Sequence, residues 1–230
     1  QWAIARQDLP RLLRAAATLH NFYSVQSWFR EGIDAFQHAL DHLPTGPDNT
    51  PEQAQVRCEL LGRKARMHIH IGQLAQAKQA LDEAQTQLHA IDDPARLSTI
   101  TGYMAITAFH AGEIGRAIGL AKGCLALDEG RGDRDGAAFA LSFLGSCYKT
   151  QGDYVRAADC FQRSVSLYAE IGDDLGRAMT LNNLGNLAQA QGEYAAAHDY
   201  YLTCSRLFEE QSHHHGAATT RQVAAAPARF

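Results

Sequence analysis

The sequence predicts an all-α protein, a solenoid of about five antiparallel helical hairpins followed by a C-terminal helix. Two observations carry this prediction. Four turn glycines, Gly72, Gly112, Gly152 and Gly192, recur every 40 residues in the segments IGQLAQA, AGEIGRA, QGDYVRA and QGEYAAA. Helical hydrophobic spacing runs through nearly the whole chain, and proline is scarce, with 6 among 230 residues. A fixed period of this length indicates stacked supersecondary units.

Side-chain classes repeat around each turn glycine. A small residue, then a large or apolar one, then another small one follow at fixed distances. These positions are Ala77, Ala117, Ala157 and Ala197, then Leu81, Ala121, Phe161 and Tyr201, then Ala84, Cys124, Ser164 and Cys204. Upstream, Ala65, Ala105, Gly145 and Gly185 share a small-residue position, where we expect a second helix to approach the backbone. Three classes of side chain share this one spacing, which chance periodicity in an ordinary helical bundle would not explain.

A first, divergent repeat precedes these four, with Gly32, Phe36 and Ala39 in the small, large and small positions. We expect a single domain over residues 1–230, with residues 212–230 as a partial capping helix or tail. The repeats are predicted at residues 13–46, 58–91, 98–131, 138–171 and 178–211. Helices are predicted near residues 12–25, 29–43, 52–70, 73–90, 94–111, 113–129, 134–150, 153–170, 174–190 and 193–211. Each hairpin then has a first (A) and a second (B) helix.

Composition excludes several classes of function. The formal net charge is −4, with 21 basic and 25 acidic residues, so no strong basic face for nucleic acid is implied. The chain has no secretory segment and no apolar run of about 18 residues, so no membrane span is predicted. Five cysteines without a CxxC pair predict buried, inert thiols in a reducing, cytoplasmic compartment. Because the sequence opens at Gln1 within a helical pattern, we expect a piece of a longer protein.

Motifs for catalysis and metal binding are missing from the sequence. It contains no GxSxG elbow, no GxxxxGK[ST] loop and no cysteine beside an evident base. His38 and His42 are spaced to share a helix face, and His213–His215 form a run, but no Cys or carboxylate completes a zinc set. We therefore predict a protein that is not an enzyme, with no catalytic residue, metal or cofactor. The competing hypothesis of a helical metalloenzyme is tested by metal analysis.

The segments LGSCYKTQGDYVRAADCFQRSVSLY and LGNLAQAQGEYAAAHDYYLTCSRLF resemble the tetratricopeptide repeat. The resemblance covers about residues 13–211 and is weaker in the first three copies. There His20 and Ala65 stand where glycine is usual, and Ala121 replaces the usual aromatic residue. The resemblance implies a right-handed superhelix whose A helices line a concave groove that binds extended or helical peptides.

The opening of the chain contains four further elements, Trp2-Ala3, Ala15–Tyr23, Glu31-Gly32 and Pro44. With these elements it resembles a more specific group, the signal-transducing NTPases of the NB-ARC, LuxR-like and SARP-like regulators. In that group a similar segment joins a nucleotide-driven switch to a tetratricopeptide sensor. The resemblance implies a regulatory sensor with an ATPase upstream in the same chain. The alternative is a free-standing adaptor that scaffolds protein complexes.

Equivalent A-helix positions supply the candidate ligand-binding residues. Asparagine amides both donate and accept, so they can pair with a peptide backbone. Arg66 and Lys149 can hold a carboxylate or phosphate. The full set is Asn21, Arg66, Tyr103, Phe109, Phe139, Ser142, Phe143, Ser146, Lys149, Asn182, Asn183, Asn186 and Gln189. The expected partner is a protein, a peptide or a small inducer bound in this groove.

Overall fold

The structure is a computed structural model that describes residues 8–44, 49–88 and 91–210. These ranges contain ten α-helices and no strand, which confirms the all-α fold. The helices are α1 (Leu9–Val25), α2 (Phe29–Asp41), α3 (Pro51–His70), α4 (Leu74–Leu88), α5 (Pro94–His110), α6 (Ile114–Arg131), α7 (Arg134–Gln151), α8 (Tyr154–Ile171), α9 (Asp174–Ala190) and α10 (Tyr194–Glu210). Every predicted helix end lies within about three residues of the observed one, the usual uncertainty of helix boundaries.

The helices fall into two compact units, Gln1–Leu120 and Ala121–Phe230. In the first unit α1 packs on α2 and α3, and α3 also packs on α2, α4 and α5. In the second unit α9 packs on α7, α8 and α10, and α7 packs on α8. Within each unit an A helix therefore contacts its own B helix, the preceding B helix and the neighbouring A helix, as expected for stacked hairpins. The single domain over residues 1–230 stays a prediction.

Three sequence predictions concern parts of the chain outside the described residues. They are the Trp2-Ala3 element, the His213–His215 run and the capping helix or tail at residues 212–230.

The helix ends follow local sequence signals. Thr50 and Gln53 form a complete capping box at α3, with the Thr50 hydroxyl 3.3 Å from the Gln53 amide nitrogen. Asp153 caps α8 by accepting a hydrogen bond from the Arg156 backbone amide at 3.0 Å. The preceding turn is closed by Gly152 at φ 83°, a left-handed conformation that disfavours any residue with a β carbon.

Aromatic rings seated on glycines build the core of the second unit. Phe161 of α8 is fully buried, and a β carbon placed at Gly145 of α7 would lie 2.6 Å from its ring. Tyr201 of α10 has the same relation to Gly185 of α9, at 2.5 Å. The prediction that a second helix approaches these small residues is confirmed, and the approaching group is an aromatic ring of the B helix. Stacking thus fixes each A helix and leaves its opposite face accessible.

Candidate functional site

The candidate residues of α7 lie on a face that its packing leaves accessible. Phe139 is 52% exposed, whereas Leu141, Leu144 and Tyr148 on the packed side are buried. Residues three and four apart are neighbours along one side of a helix, so the candidates form one stripe. They are Phe139, Ser142, Phe143, Ser146 and Lys149, of which the last four are half-buried.

The same stripe recurs 40 residues later on α9. Asn182, Asn183 and Asn186 are half-buried, and Gln189 is exposed. Met179 also belongs to this stripe, with 59% of its surface exposed, although the sequence reasoning did not nominate it. It occupies the position equivalent to Phe139, so the 40-residue period itself was the signal that could have found it.

A chain of hydroxyl groups fixes the two A helices relative to each other. The Oγ1 atom of Thr180 on α9 lies 3.4 Å from the Oγ atom of Ser142 on α7 and 3.3 Å from that of Ser164 on α8. Ser164 is fully buried and donates a hydrogen bond to the Ala138 carbonyl of α7 at 2.8 Å. This network places the stripes of α7 and α9 side by side, and both are therefore one surface, here called the amide face.

Two residues of the amide face are already engaged within the protein. The Tyr201 hydroxyl donates to Asn186 Oδ1 at 2.8 Å and lies 3.2 Å from Gln189 Oε1. By contrast, the side-chain amides of Asn182 and Asn183 make no hydrogen bond to any other residue in the part of the chain that the structure describes. Their half-exposed amides are therefore the groups of this face that can take up a ligand at no expense to internal bonds.

The first unit presents a different A-helix surface, built by α3 and α5. Arg66 is exposed, and its guanidinium carbon lies 5.8 Å from the centre of the Tyr103 ring. Beside them is a cleft of about 160 Å³ whose lining includes Thr99 and Tyr103. Glu59 also lines it and bridges Arg63, at 2.5 Å, and Arg96. This surface is charged, unlike the amide face.

The two remaining candidates of the first unit, Asn21 and Phe109, do not line this cleft. Asn21 is exposed on α1. Phe109 is half-buried at the end of α5, with its ring centre 5.8 Å from that of His110. The structure thus divides the thirteen candidates between two units, four in the first and nine in the second. That all thirteen act on one ligand stays a prediction.

Cysteines and histidines were the other candidates for chemistry. All five cysteines are buried, and burial raises the pKa of Cys58 to about 12 and that of Cys147 to about 11. The His38 and His42 ring centres lie 4.5 Å apart, as their spacing predicts. Within the described residues no group of three or more His, Cys, Asp and Glu side chains is placed to hold a metal ion. Nor is any described helix long and apolar enough to cross a membrane.

The repeated part of the chain matches a known protein family. Residues 96–170 and 136–210 each match the tetratricopeptide repeat, and together they span half of the chain. The chain belongs to the tetratricopeptide repeat family. The matched residues include the last two hairpins, α7–α10, in which the ring-over-glycine packing and the amide face are found.

Solved structures share the fold of this tetratricopeptide repeat chain. A STAND protein (signal transduction ATPase with numerous domains) with a tetratricopeptide repeat sensor, from Pyrococcus horikoshii, has TM-score 0.73 and 15% identity, covering 90% of this chain and 31% of that one. A Rap protein complexed with competence and sporulation factor has TM-score 0.65 and 12% identity, covering 90% and 67%. BtubC (BKLC) from P. vanneervenii has TM-score 0.60 and 14% identity, covering 94% and 89%.

Sequence identities this low show only that these proteins share a fold. No curated protein matches the tetratricopeptide repeat chain in sequence.

Proposed function

We propose that this protein is a non-catalytic binding module that holds a peptide segment of a partner protein on the amide face. The observation that carries the proposal is the pair of amides on Asn182 and Asn183, half-exposed and without an internal hydrogen bond, on the surface that also exposes Phe139 and Met179. Each amide offers two donors and one acceptor group, which matches the alternating polar groups of a peptide backbone. The two apolar side chains supply surface to bury.

The spacing of the two apolar side chains suggests what the peptide looks like. Phe139 and Met179 occupy equivalent positions on neighbouring A helices, and packed helix axes lie about 8–10 Å apart. A polyproline-II peptide rises about 3.1 Å per residue and returns to the same side every third residue. Apolar side chains three residues apart would therefore reach both anchors. Covering the exposed half of each anchor would contribute roughly 1 kcal/mol.

The charge of the amide face supports an uncharged or weakly acidic peptide. Lys149 is the one cation among the nine candidates of this unit, and none of them is acidic. With so little charge, long-range steering contributes little, and hydrogen bonds to the backbone and apolar contacts set the affinity.

A peptide array tests the module. We would probe immobilised nine-residue peptides that carry two leucines either two, three or four residues apart, using the whole chain and its Asn182→Ala/Asn183→Ala variant. We expect the three-residue spacing to bind best and the variant to lose at least about tenfold in affinity, since two peptide hydrogen bonds disappear. Gln162→Ala, which removes an exposed amide from the B helix α8, is the matched control.

Two results would count against the amide face. One is equal binding by the wild-type chain and the double asparagine variant, with both folded. The other is an equal loss in the Gln162→Ala control, because the effect would then not belong to the A-helix surface.

We further propose that the module is the sensor region of a larger, cytoplasmic signalling NTPase that regulates transcription, with an adaptor role as the alternative. Support comes from the sequence of residues 1–44, which resembles the segment before such sensors. The shared fold with the sensor of a STAND protein is consistent with this role. Binding can drive such a switch only when its two states differ in affinity for the ligand. Buried thiols of high pKa suit a reducing compartment.

The adjoining coding sequence separates the two roles. A GxxxxGK[ST] loop in the same reading frame supports the sensor, because that loop binds nucleotide phosphates. A frame that contains only further helical repeats supports the adaptor and contradicts the sensor.

A further inference from the structure

The outer side of α1 exposes a row of apolar side chains. Leu19, Phe22 and Val25 lie on this side with 40%, 49% and 80% of their surfaces exposed. They are three residues apart, so they follow one another along one side of the helix. The row ends on Trp28, which is 49% exposed directly before α2. These four residues are here called the α1 stripe.

The repeat shows that the position of Phe22 is normally covered by another helix. Ser27 takes the place of the turn glycine Gly72, with φ 58° against 73°, so α1 aligns with α3. On this alignment Phe22 is equivalent to Met67, whose side chain is fully buried and reaches Gly32 of the preceding B helix, α2. The equivalent residues of the later hairpins are also buried, and they are Thr107, Cys147 and Leu187. Phe22 therefore stands at a helix-packing position, and no helix among the described residues covers it.

Aromatic contacts hold the α1 stripe in one arrangement. The ring centre of Phe22 lies 5.7 Å from that of Trp28 and 5.5 Å from that of Tyr23, both edge-to-face. The Tyr23 β carbon lies against Gly32, which fixes this group of rings to α2. A surface that is already ordered loses little conformational entropy when a partner binds.

The α1 stripe is complementary to itself when two copies of α1 pack antiparallel about a twofold axis. Ala15 is the small residue of this side, and it lies seven residues, or about two helical turns, before Phe22. Placing Phe22 of each copy opposite Ala15 of the other also places Leu19 opposite Thr18. A large side chain over a small one is the packing that this protein already uses in the ring-over-glycine contacts of its second unit.

The charges of α1 favour the same antiparallel arrangement. Arg11 and Arg14 are exposed in its first two turns, whereas its last turn has no basic residue. In the pairing above, Arg14 lies level with position 23 of the other copy, within that last turn. The carbonyl groups at the end of a helix carry partial negative charge, so they attract these arginines. A parallel pairing would instead bring the arginines of the two copies together.

We propose that the α1 stripe is a dimerisation surface on which a second copy of this chain packs its own α1, with Phe22 seated on Ala15 of the partner subunit. A buried Phe or Trp loses about 150–250 Å² of accessible surface, so the exposed halves of Phe22 and Trp28 together supply about 150–250 Å² per chain. Leu19 and Val25 add to this area. Interfaces below about 1,200 Å² in total are weak and transient, so we expect a dissociation constant of about 1–100 µM.

Sedimentation velocity of the whole chain, from well below to well above that concentration range, tests the dimer. We expect Phe22→Glu to weaken association at least about a hundredfold, since it places a charge in an apolar contact. Leu202→Glu is the matched control, because it places the same charge on a 53% exposed residue of α10, and it should dimerise as the wild-type chain does. Both substitutions are at the surface, and circular dichroism confirms that both variants fold.

Two results of this experiment overturn the proposal. One is a wild-type chain that stays monomeric at the highest concentration, in which case the α1 stripe belongs to a helix of another protein. The other is equal association by the wild-type chain and Phe22→Glu.

Ala15→Leu tests the register of the two helices, because it adds apolar surface while it fills the seat of Phe22. Association through a loose apolar contact would become tighter in this variant. The proposed packing instead predicts association that is at least about tenfold weaker, since the seat is overfilled. Equal or tighter association contradicts the proposed packing.

Thr18→Cys places a thiol beside the twofold axis, where two copies can be linked. All five native cysteines are buried, so mild oxidation acts on the new thiols and joins them as a disulfide between the two copies. Thr150→Cys on α7 is the matched control, because both threonine hydroxyls are exposed and donate to the carbonyl four residues earlier. Equal cross-linking of the two variants refutes the arrangement. The Asn182→Ala/Asn183→Ala variant should dimerise normally, so this proposal and the peptide-binding proposal fail independently.

Discussion

Replacing Gly185 by alanine tests the packing that defines the last hairpin. A β carbon there would lie 2.5 Å from Cε1 of Tyr201, a ring that is only 3% exposed and has its hydroxyl bonded to Asn186. The ring cannot swing into solvent without losing that bond and its contacts with Ala188 and Ala197. One added methyl group in a packed core costs about 1–3 kcal/mol.

The helix propensity of alanine works in the opposite direction. Alanine is favoured over glycine by about 1 kcal/mol within a helix. The net expectation for Gly185→Ala is therefore a loss of about 0–2 kcal/mol in the free energy of unfolding. Gly123 of α6 is the matched control, since no heavy atom would lie within 4 Å of a β carbon at that position. Gly123→Ala should gain about 1 kcal/mol, which leaves a difference of about 1–3 kcal/mol between the two variants.

Urea unfolding followed by circular dichroism measures both variants against the wild-type chain. Helical repeats can unfold in stages, so hydrogen exchange of α9 and α10 amides should accompany it and localise the loss. Gly185→Leu should extend the loss beyond that of alanine and splay the last hairpin. If Gly185→Ala stabilises the chain as much as Gly123→Ala does, the ring-over-glycine packing is wrong.

Three further predictions concern the buried polar groups. Arg57→Met should lower the free energy of unfolding by about 1–3 kcal/mol, because the buried guanidinium donates to carbonyl groups at the end of α2 and pairs with a half-exposed glutamate of α4. Arg116→Met, at an exposed pair, should change it by no more than about 1 kcal/mol in the same urea experiment. Ser164→Ala should cost about 0.5–1.5 kcal/mol, because the buried hydroxyl loses its hydrogen bond to the Ala138 carbonyl. The exposed Ser166→Ala on the same helix should be nearly neutral in thermal unfolding. The folded-state pKa of His20 is lowered from 6.5 to about 4, so its contribution to the free energy of unfolding is present above pH 6.5 and is lost as pH falls through about 4, by up to about 3 kcal/mol. His20→Gln should flatten that part of the curve of stability against pH, and an unchanged curve would contradict the lowered pKa of His20.

The fold was predictable because the same sequence pattern occurs in several repeats. One spacing links Gly112, Gly152 and Gly192, and helices begin two residues after each of them. Local chemistry then located the ends, since caps such as Asp153 act through bonds to backbone amides only a few residues away. Predictions that depend on neighbouring residues in the chain therefore succeeded.

The properties of the candidate site depend on contacts between helices, and these contacts cannot be read from the sequence of one helix. Asn182 and Asn186 look alike in the sequence, yet Tyr201 of the next helix engages only the second. Arg66 looks like any surface arginine until Tyr103 and the paired arginines beside it are located. Met179 was missed because side-chain type was weighed above repeat position. Which amides are available is decided by packing between residues that lie 15 positions apart in the sequence.

The turn that closes α7 has a stereochemical consequence. Gly152 has φ 83° in open space, a backbone conformation that is the mirror image of one favoured by ordinary L-residues. A D-alanine at this position would meet no neighbouring atom and would already prefer the observed dihedral angles. It would restrict the unfolded chain and so stabilise the fold by about 0.4–1 kcal/mol, where L-alanine would strain it. Chemical ligation could therefore use the turns of this repeat to install inverted chirality as a stabilising feature.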